Sequence, residues 1–378
     1  MRGHIRRRGK TSWELKYDVR EDEQRQTQYR SFKGTRAQAQ AELARLLVAV
    51  DKGAHVEANK ITVGQHVLSR LAQWRDSGRI SPKTAERFQQ LIDGQLLPFL
   101  GKIPLQRLRT SDIEAWHSAL LTKGRRDGAG GVSTRTVSHV HKVLAKALRE
   151  GVRHGLVVRN VASEEPPPRI EAEKMRILTP VQVRELMTQL IGRPMYAPAV
   201  TALFTGVRRG ELLALRWADI DLERKMMRIH ASLEETKAGL RFKGTKTKSG
   251  ERELTLPYIV VTTLRDHRKQ QLELRMQLGL GKMPANALVF STAEGEPLTP
   301  NSFSFAWKDV ALELKLDVSF HALRHTHASQ LIDAGVDVVT IAHRLGHASP
   351  TITLSVYAHL FHRDDSKAAA AINTYLGS

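Results

Sequence analysis

Three consecutive prolines, Pro166 to Pro168, interrupt the chain within the stretch EEPPPRIEAEK. A helix cannot pass through such a run, because each proline lacks a backbone N–H and clashes with the preceding turn. The stretch therefore predicts a linker at 163–174 between parts of the chain that fold separately. A chain of 378 residues is long enough for two or three domains.

Two segments of different character precede this linker. Residues 1–56 begin with a cluster of arginines, continue with alternating apolar positions that predict strands, and end in a helical pattern. We expect a small sheet packed on one helix. Residues 62–162 show helical spacing throughout. In that segment Thr62 with Gln65 forms a capping box, and Thr110 is expected to cap a later helix.

The last helix of the segment 62–162 is predicted to end at Gly151. Its polar face carries four cations, which are Arg135, Lys142, Lys146 and Arg149. A helix that lies on DNA phosphates would present such a face, and so would a helix that is simply solvated. Both interpretations stay open from the sequence.

Residues 175–378 form the last predicted domain, which opens with a capping box of Thr179 and Gln182. Residues 226–257 depart from the helical spacing of this domain. Apolar and polar residues alternate within MMRIH and RELTLP, on either side of the basic loop KGTKTKSGER, which predicts a small antiparallel sheet. The expected fold class is a mainly α multidomain protein. It would combine a small sheet-plus-helix domain, a helical domain, and a mostly helical domain with a small antiparallel sheet.

The composition narrows the function classes. The 59 Lys and Arg residues exceed the 39 Asp and Glu residues, so the formal net charge is +20 and favours a polyanionic partner such as nucleic acid. The absence of cysteine excludes disulfides and cysteine–zinc sites. The sequence contains no secretory signal and no apolar run of the ~20 residues that a membrane helix needs. We therefore expect a cytoplasmic, nucleoid-associated protein with no membrane partner.

Histidines are concentrated in FHALRHTHASQL, residues 320–331. The i,i+4 spacing of His321 and His325 is one that zinc sites use, but no HExxH glutamate is present and Arg324 would repel a cation. No metal is expected. His321 and Arg324 are three apart, so they face one side of a helix and present an imidazole and a guanidinium to one anion. We interpret His325 and His327 as packing residues.

Two further stretches contain candidate functional residues. In FTGVRRGELLALRWADID, Arg208 precedes Glu211 by three residues, and in HRLGHASPTITLSVYAHL, Tyr357 follows His347 by ten. Taken alone, an Arg–Glu pair on a helix is usually a surface pair of little consequence. A tyrosine at such a position is more often part of a core.

Taken in chain order, these stretches resemble the tyrosine recombinase (phage integrase) family. The matching pieces are TGVRRGELLALRW, KTKSGERELTLP, HALRHTHASQLIDAG and LGHASPTITLSVYAH. The resemblance implies a catalytic domain with a C-terminal tail at 175–378. Residues 62–162 are similar, more loosely, to the family's helical core-site-binding domain. Residues 1–56 resemble its small arm-type DNA-binding domain.

The resemblance assigns roles to seven residues of this sequence. The catalytic residues would be Arg208, Lys246, His321, Arg324, His347 and Tyr357, with Glu211 as a supporting acid. Lys243 and Lys248 are rivals for the place of the lysine. Tyr375 lacks the spacing to His347 that the family's nucleophile has.

The chemistry that these roles imply is transfer of a phosphodiester to a tyrosine. The two arginines and His347 would stabilise the phosphate as charge develops on it. His321 would accept the proton of Tyr357, and Lys246 would protonate the leaving 5′ oxygen. The product would be a covalent 3′-phosphotyrosine, formed without ATP, metal or another cofactor.

The implied function is site-specific DNA recombination that integrates or excises a phage or mobile element. Partners would be double-stranded DNA at core and arm-type attachment sites, and three further copies of the chain in a synaptic tetramer. An excision factor and a DNA-bending host protein are expected by family analogy alone. A type IB topoisomerase-like strand transferase and a non-catalytic DNA-binding protein are the alternatives.

Overall fold

The computed structural model describes residues 3–21, 24–51, 59–171, 175–244, 250–361 and 366–376. The chain divides into two compact units, Met1–Ala172 and Glu173–Ser378. The division falls inside the linker expected at 163–174, and the finer division into three domains stays a prediction. In the described ranges, no helix is both long and apolar enough to cross a bilayer.

An antiparallel sheet and a helix open the first unit. The strands, in the spatial order β1-β2-β3, are β1 (Gly3–Arg7), β2 (Ser12–Glu21) and β3 (Gln24–Lys33). Helix α1 (Arg36–Asp51) packs on this sheet and forms a small core in which Leu43 and Leu46 join Leu15 and Tyr17. This is the sheet-plus-helix arrangement predicted from the alternating apolar residues.

The rest of the first unit is helical. Its helices are α2 (Val63–Asp76), α3 (Pro82–Leu91), α4 (Leu97–Leu100), α5 (Thr110–Lys123), α6 (Thr134–Arg153) and α7 (Val161–Glu164). The predicted capping box at the start of α2 is confirmed by reciprocal bonds between Thr62 and Gln65, at 2.9 and 3.2 Å. Trp74 and Trp116 are buried in the core of these helices.

Two predicted helix boundaries are wrong. Thr110 is the first residue of α5 and not its cap, since Arg109 holds the N-cap position and its backbone N–H donates to the carboxylate of Asp112 at 2.8 Å. Helix α6 continues past Gly151 to Arg153. A Cβ at Gly151 would lie 3.2 Å from Nε2 of His66, so this glycine permits close helix packing and does not end the helix.

The second unit is mainly helical. Its helices are α8 (Pro180–Leu190), α9 (Tyr196–Thr205), α10 (Arg209–Ala214), α11 (Tyr258–Gln277), α12 (Pro300–Glu313), α13 (Phe320–Asp333), α14 (Val338–Leu345), α15 (Pro350–Tyr357) and α16 (Ser366–Leu376). The capping box of Thr179 and Gln182 is confirmed at the start of α8.

The predicted small sheet is confirmed, and a separate hairpin lies between two of its strands in sequence. Strands β4 (Ile220–Asp221), β5 (Met226–Ile229) and β8 (Arg252–Thr255) form an antiparallel sheet in the order β4-β5-β8. Strands β6 (Ala231–Thr236) and β7 (Gly239–Gly244) pair separately as an antiparallel hairpin. The mainly α fold class with small antiparallel sheets is therefore confirmed.

Helix α13 takes part in both hydrophobic cores of the second unit. Its Leu323 belongs to the large core, whereas its Ala328 and Ile332 belong to a smaller one with Leu345 and Tyr357. The histidine-rich stretch therefore lies on a helix that is fixed along its length by packing on both sides.

Candidate active site

Arg208 lies in the short loop between α9 and α10, as the N-cap residue of α10. Gly206 ends α9 in the left-handed conformation (φ 70°), which glycine adopts at little cost. The backbone N–H and Nη1 of Arg208 both donate to the carboxylate of Glu211, at 2.9 and 2.7 Å. Nη2 donates to the carbonyl of Gly346 at 3.0 Å. The guanidinium is thus fixed while 39% of the side chain stays exposed, which leaves it accessible to a ligand.

A buried arginine completes this support. Arg252 on β8 donates through Nη2 to Glu211 at 2.9 Å, and the two side chains are at most 4% exposed. Arg252 also donates to the carbonyls of Gly250 and Arg344, at 3.1 and 2.8 Å. Burial raises the pKa of Glu211, but the charges and hydrogen bonds of Arg252 and Arg208 outweigh it and leave the pKa below its ordinary value. The carboxylate therefore stays ionised.

Arg324 is the second arginine of the site and is only 3% exposed on α13. Its Nη1 donates to the carbonyl of Gly206 at 2.6 Å and its Nη2 to that of Leu345 at 2.7 Å. These carbonyls lie at the C-terminal ends of α9 and α14, where helical partners are missing. Burial and the charge of Arg208 lower the pKa of Arg324 to about 9, which still leaves it cationic at neutral pH.

His347 follows Gly346, which ends α14 in the left-handed conformation (φ 65°). Its Nε2 lies 2.9 Å from Nη2 of Arg324, and since arginine only donates, Nε2 accepts. Its Nδ1 lies 2.8 Å from Oγ1 of Thr353. Burial and the nearby arginines lower the pKa of His347 to about 4, so the ring is neutral. The expected donation to phosphate therefore requires a change of tautomer or protonation.

Tyr357 is the last residue of α15, and only 1% of it is exposed. Its hydroxyl lies 2.7 Å from Nδ1 of His325. The ring of His321 stands edge-on to that of His325, with centroids 4.7 Å apart. Burial raises the pKa of Tyr357 to about 12, against an opposing effect of Arg324. The phenol is therefore protonated at neutral pH and shielded from solvent.

The lysine candidates lie on and after the β6–β7 hairpin. Lys243 on β7 forms an ion pair with Glu234 on β6. Lys246 and Lys248 lie outside the described residues, in 245–249. The prediction that Lys246 is the catalytic lysine therefore stays a prediction.

A cavity of about 460 Å³ adjoins this hairpin. Its lining includes Arg208, Glu211, Lys243, Gly250 and His347. Cationic side chains on its walls suit an anionic ligand. Among the described residues, no group of three or more His, Cys, Asp or Glu side chains is placed to hold a metal ion.

The structure brings most of the predicted site together. Arg208 contacts Glu211 and the carbonyl next to His347, and Arg324 contacts His347 and acts electrostatically on Tyr357. The individual roles of these residues stay predictions. Two arginines and a phenol are nevertheless protein groups that phosphoryl transfer to a tyrosine requires.

Two family models match the chain. The phage integrase family matches residues 176–363, and the phage integrase N-terminal SAM-like domain matches residues 71–121. The chain belongs to the phage integrase family. The first match contains every described residue of the candidate site, and the second lies within the helical segment that follows the N-terminal sheet and helix.

Curated relatives of this integrase-family chain have corresponding names. A tyrosine recombinase XerC-like protein of Caldanaerobacter subterraneus subsp. tengcongensis is 24% identical, over 97% of this chain and 96% of the relative. An integrase of Streptomyces ambofaciens is 29% identical, over 85% of this chain and 82% of the relative. The enzyme class is that of tyrosine site-specific recombinases, which cleave and rejoin DNA.

Solved structures share the fold of this integrase-family chain. The Tn1549 transposon integrase in complex with transposon right end DNA matches with a TM-score of 0.68 and 21% identity, over 84% of this chain and 100% of that one. A lambda integrase tetramer bound to a Holliday junction matches with a TM-score of 0.55 and 18% identity, over 92% of this chain and 96% of that one. These matches confirm the multidomain architecture.

Sequence reasoning missed two residues of the site. His325 is interpreted from the sequence as packing, whereas the structure places it on the hydroxyl of Tyr357. A signal was present, because His325 directly follows Arg324 and lies four residues after His321, on the same side of the helix. Arg252 gave no local signal, because its partners lie as many as 92 residues away in sequence.

Proposed function

We propose that this chain is the integrase of a phage or another mobile element, and that it cleaves DNA with Tyr357 as the nucleophile. The observation that carries this proposal is that Arg324 on α13 lies 2.9 Å from His347 in the loop after α14, while the adjacent His325 lies 2.7 Å from the hydroxyl of Tyr357 at the end of α15. A nucleophile beside fixed cations is what attack on an anionic phosphodiester needs.

Arg208 and Arg324 are proposed to neutralise the non-bridging oxygens of the scissile phosphate. Both guanidiniums are already held by carbonyls or by Glu211, so little reorganisation is needed when charge develops in the transition state. Guanidinium groups suit phosphate because they can donate two parallel hydrogen bonds. His347, whose Nε2 lies 2.9 Å from Arg324, is proposed to donate a further bond to the phosphate after a change of tautomer or protonation.

The proposed reaction joins Tyr357 to the phosphorus atom and releases the 5′ oxygen of the next nucleotide. Lys246 is proposed to protonate that oxygen. The 3′-phosphotyrosine retains the free energy of the phosphodiester, so attack by a 5′ hydroxyl rejoins DNA without ATP. Because side chains supply the cations, we expect the reaction to need no metal and no other cofactor.

The first unit is proposed to bind DNA at two kinds of site. On α6, the cations Arg135, Lys142 and Arg149 are exposed, whereas Lys146 packs over Trp74 with Nζ 4.0 Å from the ring centroid. We propose that the exposed three follow the phosphates of the core site. Residues 1–56 are proposed to bind an arm-type site, and deleting them should spare core-site cleavage but reduce integration.

Assembly into a tetramer on DNA is proposed from the likeness to the lambda integrase tetramer. Helix α16 exposes the apolar side chains of Ile372, Tyr375 and Leu376, which we propose dock on a neighbouring protomer. Deleting 366–378 should abolish tetramers on a Holliday junction while single-site binding persists. Tetramers that survive the deletion would contradict this role. An excision factor and a DNA-bending host protein are further proposed partners on the bacterial nucleoid.

A random pool of DNA duplexes can test this function and identify the attachment sequence at the same time. The full chain is incubated with a pool of nicked duplexes of random sequence, and protein–DNA adducts that resist SDS are recovered and sequenced. We expect the adducts to converge on one core sequence. In each adduct the chain should be joined to the 3′ phosphate of the cleaved strand. A pool that binds tightly but yields no adduct would favour a non-catalytic DNA-binding protein.

A second assay separates recombination from relaxation of supercoils. Two duplexes that carry the recovered core sequence are mixed with the full chain, and the joined products are scored by length. We expect strand exchange between the duplexes. Relaxation of a supercoiled plasmid without exchange, and without preference for the core sequence, would instead indicate a type IB topoisomerase-like activity.

A further inference from the structure

The hydroxyl of Tyr357 is in hydrogen-bonding contact with a residue that the predicted catalytic set omits, since Nδ1 of His325 lies 2.7 Å from it. We propose that His325 is a catalytic residue of this enzyme, whose Nδ1 accepts the phenolic proton as the Tyr357 oxygen attacks phosphorus. This inference rests on the proposed function. It gives His325 the acceptor role that the sequence assigned to His321.

The geometry favours His325 over His321 as the acceptor. A general base must lie within about 2.6–3.2 Å of the group that it deprotonates, and His325 meets that condition. Its ring stands edge-on to that of His321, at 89° and 4.7 Å between centroids. The ring centroids of His325 and Tyr357 lie 5.8 Å apart. His321 thus contacts the acceptor, and among the described residues His325 is the histidine that lies within hydrogen-bonding distance of the Tyr357 hydroxyl.

The surrounding charges make the transfer depend on bound phosphate. Burial raises the pKa of Tyr357, while burial and the charge of Arg324 lower the pKa of His325, so both effects keep the proton on the phenol. A phosphate anion beside Arg324 offsets the repulsion between that guanidinium and an imidazolium. Bond formation to phosphorus withdraws electrons from the phenolic oxygen and acidifies its proton. The nucleophile is therefore activated only when a phosphodiester is in place.

The step balances with the groups already named. The bond between the Tyr357 oxygen and phosphorus forms, and the bond between phosphorus and the 5′ oxygen breaks. The phenolic proton passes to Nδ1 of neutral His325, whose own proton is on Nε2, and the 5′ oxygen takes its proton from Lys246. In the return reaction the 5′ hydroxyl gives a proton back to Lys246, and His325 returns its proton to the phenolic oxygen.

The test is the single-turnover rate of adduct formation on a nicked duplex that carries the recovered core sequence. His325→Gln retains a polar side chain but cannot take up the proton, and we expect it to lower the rate about 10²-fold with unchanged DNA binding. His325→Asn serves as a second variant if His325→Gln melts at a lower temperature than the wild type. His321→Gln is the matched control on the same helix, and its pH–rate profile should keep the wild-type shape.

A change in phenol acidity distinguishes proton transfer from mere positioning. Incorporation of 3-fluorotyrosine at position 357 lowers the pKa of the phenol, so it should restore much of the rate lost in His325→Gln and little in His321→Gln. In His325→Gln the rate should also keep rising with pH where the wild-type rate has levelled off. A His325→Gln protein with the wild-type rate, or a slow one that is indifferent to fluorination and pH, would overturn the proposal.

Failure of this inference is distinguishable from failure of the proposed function. If wild type forms no adduct, the proposed function itself is wrong. If wild type forms an adduct that Tyr357→Phe abolishes, and His325→Gln matches wild type, then Tyr357 is the nucleophile and His325 is not its base.

Discussion

Glu211 and Arg252 form an ion pair of 2.9 Å in which both side chains are buried. The same carboxylate also accepts two hydrogen bonds from Arg208, so the buried arginine indirectly fixes the exposed one. A buried charge is tolerated only while its partner is present, because neither ion can be solvated. The position of Arg208 and the stability of the second unit should therefore depend on the same pair.

Loss of Glu211 should destabilise the second unit strongly. Glu211→Ala leaves Arg252 buried without its counter-ion, and we expect the free energy of unfolding to fall by about 3–5 kcal/mol in urea titrations. The control is Glu223→Ala, whose partner Arg265 lies on the surface, where such pairs contribute about 0–1 kcal/mol. Equal losses in the two variants would show that the buried pair does not support the fold.

Substitution of Gly346 by alanine should be more destabilising than the same substitution at another glycine of similar backbone conformation. A Cβ at Gly346 (φ 65°) would lie 2.7 Å from Nη1 of Arg252, whereas at Gly335 (φ 75°) it would meet no described atom within 4 Å. Gly335→Ala should cost about 1–2 kcal/mol from the left-handed backbone alone. Gly346→Ala should lower the melting temperature further and slow adduct formation, because the Gly346 carbonyl holds Arg208. Matching effects in both variants would contradict the steric account.

His327 should make the second unit less stable in acid. Burial and the charge of Arg344 lower the folded-state pKa of His327 to about 3 from an ordinary 6.5. Below pH 6.5 the unfolded chain binds a proton at His327 that the folded chain does not bind. The stability present above that pH is therefore progressively lost as the pH falls to about 3. The slope for one such histidine is about 1.4 kcal/mol per pH unit.

Replacing His327 should therefore flatten the dependence of stability on pH. In urea titrations between about pH 6 and about pH 4, we expect His327→Gln to reduce the slope of the unfolding free energy against pH. The reduction should equal the contribution of one proton. The matched substitution His343→Gln, on an exposed part of α14, controls for the loss of a histidine as such. An unchanged slope in His327→Gln would mean that His327 already binds its proton in the folded state.

The identity of the general acid can be read from a substrate with sulfur in place of the leaving 5′ oxygen. A thiolate leaves without a proton, so this substrate should restore adduct formation in Lys246→Ala, which we expect to fail on ordinary DNA. Lys243→Ala and Lys248→Ala should keep most of their activity on ordinary DNA, since Lys243 is already paired with Glu234. Rescue by sulfur that is confined to Lys243→Ala would move the general acid to Lys243.

The parts of the fold that were predictable depend on short-range physics. Capping boxes at Thr62 and Thr179 need only residues three apart, and both are present. The boundary at Gly151 was not predictable, because its glycine serves a contact with His66, more than 80 residues away in sequence. The β6–β7 hairpin was likewise not distinguished from the neighbouring sheet, because β5 pairs with β8 across it, and an alternating pattern does not specify that long-range pairing.

The candidate site likewise has parts that were predictable from the sequence and parts that were not. The resemblance to the family located Arg324 and Tyr357, and the structure brings them into electrostatic contact. The contact between His325 and Tyr357 depends on how α15 folds back towards α13, which spacing along the chain does not specify. The burial of Arg252 likewise depends on contacts with both Glu211 and the carbonyl of Arg344.

The central claim is that Tyr357 becomes covalently joined to DNA. The most direct measurement compares SDS-resistant adducts formed on the recovered core sequence by wild type, Tyr357→Phe and Tyr375→Phe. Tyr375 is 90% exposed on α16 and serves as the matched control. We predict adducts of equal yield from wild type and Tyr375→Phe and none from Tyr357→Phe. An adduct that persists in Tyr357→Phe would contradict the account, because the nucleophile would then be another residue.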